Sequence, residues 1–305
     1  MLQQIGDALD GQRQLRVYTH GLVALDQAAP TVTASKENCD GRQRKRRSPA
    51  RSRKGAAGRK GSSGGSWQAA AASRDGSDVL RTAYEGQVTR LAEAYPTLQT
   101  FPNDDGMWLL ARSSIISGLA REATFLVALP YELGLGPRAW AFWTANGRFV
   151  WIGPRHTNFG DGSICAFSPD DGAWTEREDL RTLLDLYSAW ALRHLHLEIL
   201  GRWPGKQYSL IGADPRVQAW YRQRECQADE LCGCGSETRR YAECCQPFDL
   251  QLNILEVAPL FLRATNGGFG NRQPPPSVVD FVEGKSALPR IADVHLQIVS
   301  RRLAE

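Results

Sequence analysis

The sequence predicts an α+β fold, and three observations carry that prediction. A helically spaced apolar pattern starts near residue 79, strand-like segments follow it to about residue 153, and a second, longer helical pattern starts near residue 175. The period of the apolar residues changes at each junction, which separates helix from strand. With 305 residues and 42% hydrophobic composition, the chain can bury a sizeable core.

The first helix is read from VLRTAYEGQVTRLAEAYP, where Leu80, Tyr84, Val88, Leu91 and Ala92 recur at helical spacing before Pro96. MWLLARSSI (107–115), REATFLVALP (121–130), PRAWAFWT (137–144) and GRFVWIG (147–153) follow. They are rich in Trp, Phe, Val and Leu and are separated by Gly, Asn and Pro, so they predict a four-stranded antiparallel meander. An irregular segment, HTNFGDGSICAFSPDDGAW, occupies 156–174. Thr175 and Glu178 have capping-box spacing ahead of a long helix, whose Leu180, Leu183, Leu184, Tyr187, Ala191 and Leu195 share one face. That stripe should lie across the sheet.

Charge is distributed unevenly. The net charge is +4, but residues 1–75 hold 14 Lys/Arg against 6 Asp/Glu and so carry +8, leaving the rest at −4. The stretch RQRKRRSPARSRKGAAGRKGSSGGS (42–66) cannot bury enough apolar surface to offset its chain entropy, so residues 1–77 are expected to form a disordered basic tail. No aromatics interleave with the basic run, and nucleic acid is not expected as a partner. No run approaches the roughly 18 apolar residues of a membrane span. The opening residues lack a basic start followed by an apolar stretch, so a cytoplasmic location is expected.

The central question is what Cys165 does: buried small hydrophobe, metal ligand or nucleophile. Helix, meander, His-x-Asn ahead of a cysteine, a following Trp and a long helix resemble, over roughly residues 79–200, the ubiquitin-conjugating (E2-like) family. The carrying residues are His156-Thr157-Asn158, GDGSIC, Trp174 and the proline-bounded LPYELGLGPRAWAF. Thr157 stands where the family has proline, and the His-to-Cys spacing is one residue shorter. Together with WALRHLHLEILGRWPG, this is similar to a divergent bacterial branch found in CBASS-type antiphage defence operons.

The resemblance implies that Cys165 carries an acyl group as a thioester, a role that suits a thiolate both as nucleophile and as leaving group. It assigns Asn158 to donate to the developing oxyanion and His156 to hold the segment in shape. Gly160 and Gly162 permit the return of the chain beside the cysteine. Asp170 and Asp171 lie near enough in sequence to orient or deprotonate an amine. Each role has a plainer rival: an inert buried cysteine, an asparagine satisfying turn backbone, solvated loop aspartates. The implied partners are a ubiquitin-like protein or a cyclic-oligonucleotide synthase C-terminus, with a separate adenylating activating enzyme, since no Gly-rich phosphate loop is present.

ELCGCGSETRRYAECCQP sets Cys232, Cys234, Cys244 and Cys245 in pairs that suit tetrahedral Zn2+ better than two disulfides. It resembles the SEC-C zinc motif, with one extra residue between the pairs. The expected organisation is a tail (1–77), a catalytic domain (78–205), a zinc-knuckle region (206–250) and an extension (251–305). In the extension NGGFGNRQPPPSVVDF reads as a flexible loop and VHLQIVSRRLAE as a short helix. Two rival functions remain: an inactive conjugating-fold adaptor that docks partners through its sheet and knuckle, and a nucleic-acid binder using the basic tail.

Overall fold

The computed structural model describes residues 14–18, 21–25, 66–114, 121–132, 135–167, 174–175, 178–210, 212–265 and 268–303. Five strands form one antiparallel sheet in sequence order: β3 (Gln99–Pro102), β4 (Gly106–Ser114), β5 (Glu122–Pro130), β6 (Arg138–Ala145) and β7 (Arg148–Trp151). The four expected strands are present, and the meander is longer by one. The added β3 pairs Thr100 with Leu109 and Phe101 with Trp108. It is only four residues long and ends on a proline, which an edge strand tolerates but which weakens its sequence signal.

Helix α1 spans Ser66–Ala94, so helical structure begins before Val79. A two-stranded antiparallel sheet, β1 (Gln14–Tyr18) with β2 (Gly21–Leu25), also lies within the stretch assigned to a disordered tail. The basic run 42–60 lies outside the described residues. Helix α2 spans Leu180–Leu200 and begins later than the Thr175–Glu178 pair implied. Glu178 instead closes a turn onto the Thr175 carbonyl at 2.9 Å, and Asp179 caps the helix by accepting from the Thr182 amide at 2.9 Å. Gly201, with φ 72°, ends α2 in the left-handed conformation that favours glycine.

Alternate residues of each strand face opposite layers. On one face Leu109, Phe125, Val127, Ala141 and Trp143 pack against Leu80, Tyr84 and Leu91 of α1 and against Leu183, Leu184, Tyr187 and Trp190 of α2. On the other face Trp108, Leu126, Ala128, Trp140 and Phe142 are covered by the C-terminal extension. Its contributors are Val278 and Val282 of one helix (Pro276–Val282) and Ile291, Val294 and Ile298 of another (Ile291–Leu303). The sheet is thus buried on both sides, which explains why β5 reads as an unbroken apolar run.

Between α2 and that covering layer lie helix α3 (Pro215–Glu225), a short 3-10 turn (Tyr241–Glu243), α4 (Gln246–Asp249) and α5 (Ile254–Thr265). In chain order the last two helices are α6 (Pro276–Val282) and α7 (Ile291–Leu303). The expected flexible loop at 266–281 is in part a 3-10 turn (Gly268–Asn271) and α6, with Arg272, Pro274 and Pro275 buried. Among the described residues, no helix is long and apolar enough to cross a membrane.

Candidate functional site

The segment after β7 folds back on itself. Thr157 and Ile164 form an antiparallel bridge, the Cys165 amide donates to the His156 carbonyl at 3.1 Å, and the Asn158 amide donates to Ser163 at 2.7 Å. The Ile164 amide donates to the Ala139 carbonyl at 2.7 Å, which fastens the fold-back to β6. Gly162 makes this possible. Its φ is +64°, and a Cβ there would stand 2.9 Å from Gln273 Cα. Cys165 is exposed at the end of this structure.

Asp161 is the anchor beneath it, fully buried, accepting from the Ser163 amide at 3.0 Å and the Ser163 hydroxyl at 2.7 Å. Arg138 of β6 pairs with its other oxygen, and the Trp140 indole donates to its carbonyl at 2.9 Å. Sequence reasoning passed over Asp161 because an aspartate beside glycine reads as turn solvation.

His156 sits in the left-handed region, with φ 52°. Its carbonyl also accepts from the Trp190 indole at 2.8 Å, and its ring stacks on Trp203 at a centroid distance of 3.8 Å. Burial, reinforced by the neighbouring Arg155 charge, holds the His156 imidazole well below its usual pKa. Its Nε2 lies 3.2 Å from Gln207 Oε1. A neutral, stacked imidazole with a backbone carbonyl turned to the cysteine is positioned as a support.

Asn158 is exposed, and its amide nitrogen donates to the Ser163 hydroxyl at 2.9 Å and to the Ile164 carbonyl at 3.2 Å. Both amide protons are therefore engaged inside the fold-back, one residue from Cys165. The carbonyl of Ile164 is the weaker acceptor by distance. Asp170 and Asp171 lie outside the described residues. Trp174 is buried in the main core and donates to the Asp179 carbonyl at 3.1 Å.

Two residues from outside the expected catalytic region join this site. Arg272, 1% exposed, donates from Nε to the Thr157 carbonyl at 3.0 Å, pairs with Glu225 at 3.1 Å and lies 4.3 Å from the centroid of the Phe159 ring. Burial, and next to it the charges of Glu225 and Cys165, push the Tyr221 phenol upward against the pull of Arg272. Tyr221 meets the segment through the Phe159 ring, edge-on with 6.1 Å between centroids. No sequence signal marked either residue: a charged side chain after a glycine-rich stretch reads as exposed, and nothing local singles out a tyrosine within a helix.

The second cluster is compact. The sulfurs of Cys232, Cys234, Cys244 and Cys245 lie within 4.8 Å of one another, with Cys234 to Cys244 at 3.7 Å and Cys244 to Cys245 at 3.9 Å. These separations exceed a disulfide bond and allow one metal ion to touch all four. Burial raises the Cys232 thiol to about 11. At Cys234 burial acts upward, but hydrogen bonds from Cys232 and from the Ser236 backbone overcome it, and the net shift is down. Cys226 packs beside the cluster without joining it, and burial pushes its thiol up to about 12. Of the remaining motif residues, His194 lies between Trp190 and Trp203, and His196 Nδ1 bonds the Arg202 carbonyl at 3.0 Å.

Compared with family models, with curated proteins and with solved structures, the chain matches none.

Proposed function

We propose that the chain is a ubiquitin-conjugating-like transferase whose Cys165 accepts the C-terminal carboxyl of a ubiquitin-like protein, or of a cyclic-oligonucleotide synthase, and passes it to an amine. The observation that carries this reading is an exposed cysteine at the end of a buried, multiply tied fold-back, between an antiparallel meander and the long helix α2. An inert cysteine would ordinarily be buried.

In the loading step the thiolate attacks the carbonyl of an activated C-terminus. A C–S bond forms, and the activating enzyme's thiolate leaves. In the discharge step an amine attacks the thioester, a C–N bond forms, the C–S bond breaks with Cys165 departing as thiolate, and the amine proton passes to a base. Asp171 is the residue proposed for that base. Asn158 meets the oxyanion by releasing its longer bond to Ile164, while the Ser163 bond keeps the amide in place. His156, Asp161 and Arg272 hold the backbone that carries the sulfur.

Zinc is the ion proposed for the four cysteines. Tetrahedral bonds of about 2.3 Å require sulfurs about 3.8 Å apart, against 3.7 and 3.9 Å for two of the pairs. Bound there, zinc supplies a structural crosslink. The setting is a reducing cytoplasm, and the process is bacterial antiphage defence.

Conjugate trapping tests the reading. Protein recovered from cells should carry a thiol-sensitive adduct, and Cys165→Ser should turn it into a thiol-resistant one. An adduct pattern indifferent to this substitution ends the hypothesis.

A second reading, an inactive adaptor, is favoured by the exposed Phe248, Leu250 and Leu255 just after the cysteine cluster. Exposed apolar side chains this close in sequence suit a docking surface if they form one patch. This reading predicts that Cys165→Ala leaves defence intact.

A further inference from the structure

The cysteine cluster and the Cys165 segment are far apart in sequence, yet one buried carboxylate joins them. Glu230, fully buried, lies two residues before the first metal-site cysteine. Its backbone is fixed to the same limb: the Tyr241 amide donates to its carbonyl at 2.8 Å, and the next residue, Leu231, bridges Arg240. Its side chain faces the other way. Arg155 grips both carboxylate oxygens, with Nη1 to Oε1 at 2.6 Å, and the Trp203 amide and Gln207 Nε2 add bonds at 2.5 and 3.1 Å.

Arg155 immediately precedes His156, whose carbonyl accepts the Cys165 amide. A parallel route runs through Gln207, whose Nε2 donates to the Leu231 carbonyl at 2.7 Å and whose Oε1 accepts from Arg155 at 3.0 Å and lies beside His156 Nε2. Trp203 closes the assembly, taking the His156 ring on its face. The contacts of Glu230, Arg155 and Gln207 with one another are buried, so each ion or dipole among them depends on its partner for solvation.

Among the described residues, the apolar cluster around the metal site is Cys226, Cys232, Tyr241 and Cys244, with Cys245 packed against it. So small a core cannot order the 226–250 region alone, and coordination of an ion by four thiolates supplies the missing free energy. Loss of the ion frees the limb bearing Glu230. Arg155 is then left buried without its counter-ion, which favours opening of the chain at 155–165.

We propose that occupancy of the four-cysteine site sets the order of the Cys165 segment, with Glu230 and Arg155 as the positioning residues that transmit it. The inference rests on the metal reading of the cluster but not on acyl transfer, since amide exchange reads the segment with no thioester present.

Hydrogen exchange on the intact protein, zinc-loaded and after chelation, tests it, with released zinc measured on the same samples. Chelation should speed exchange across 156–165 by about tenfold or more, while β5 stays protected. In the zinc-loaded Glu230→Leu/Arg155→Met variant, in which an apolar pair replaces the ionic one without leaving a lone buried charge, chelation should alter exchange at 156–165 several-fold less than in the parent, only the Gln207 route remaining. Unchanged exchange there in the parent protein after zinc release overturns the proposal. So does loss of protection in β5 together with 156–165, which would make the effect global. A variant responding like the parent denies the two residues their role. A protein that takes up no zinc removes the metal reading and the coupling with it, whatever becomes of Cys165 chemistry.

Discussion

Replacing Arg272 with methionine removes the guanidinium that ties the C-terminal extension to the Cys165 segment. The side chain is 1% exposed and its partner Glu225 only 10%, so neither charge has water to fall back on. Removing one member of a buried pair costs about 3–5 kcal/mol, because the other is left uncompensated. The Thr157 carbonyl also loses a charged donor at 3.0 Å, a bond worth about 1.5–3 kcal/mol and contained within that total. Urea unfolding of Arg272→Met should therefore show a lower midpoint with an unchanged slope, equivalent to about 3–5 kcal/mol. Adding Glu225→Gln should recover at least about 1 kcal/mol, since the stranded charge is gone. A loss under about 1 kcal/mol, or strict additivity of the two substitutions, would refute the claim that this pair is a desolvated anchor.

Other perturbations read other parts of the structure. His194 is 2% exposed, and burial lowers its pKa to about 3. Below the unfolded value of about 6.5 the unfolded chain binds the extra proton, so stability falls as pH drops from there toward 3 and is unaffected above about pH 7.5. By pH 5 the loss is about 2 kcal/mol for this residue alone, with His156 adding in the same direction. His194→Phe should flatten the slope of unfolding free energy against pH. Asp161→Ala should cost about 2–4 kcal/mol by chemical denaturation, since it strands the Ser163 donors and unpairs Arg138. Asn158→Ala should leave loading of Cys165 intact but slow discharge to an amine by about 100-fold in single turnover; equal slowing of both steps would assign Asn158 to loop structure only.

The elements that could be read from sequence were those whose signal is local. Leu80, Tyr84, Val88 and Leu91 needed only the helical period, and strands β4 to β7 only their composition and intervening turns. The cysteine cluster was legible because its spacing is itself the signal. Capping of α2 was misplaced because Thr175 and Glu178 do interact, but as an isolated turn ahead of the true cap, Asp179. The layer over the second face of the sheet was missed although β5 carried its trace. An apolar run without alternation announces two-sided burial, but nothing local reveals that Val278, Val294 and Ile298 provide the cover. Arg155, Glu230 and Arg272 were invisible for a related reason. Key partners are far off in sequence, Glu230 75 residues from Arg155 and Thr157 115 from Arg272, and charged side chains are by default assigned to solvent.

The most direct test of the account follows Cys165 once it carries an acyl group. A peptide supplied as its C-terminal thioester is exchanged onto the protein, the loaded residue is located by digestion and mass spectrometry, and transfer to free lysine is timed. Acyl carriage predicts that the peptide sits on Cys165 and moves to lysine far faster than from the same thioester on free cysteine. Transfer no faster than from free cysteine would contradict it.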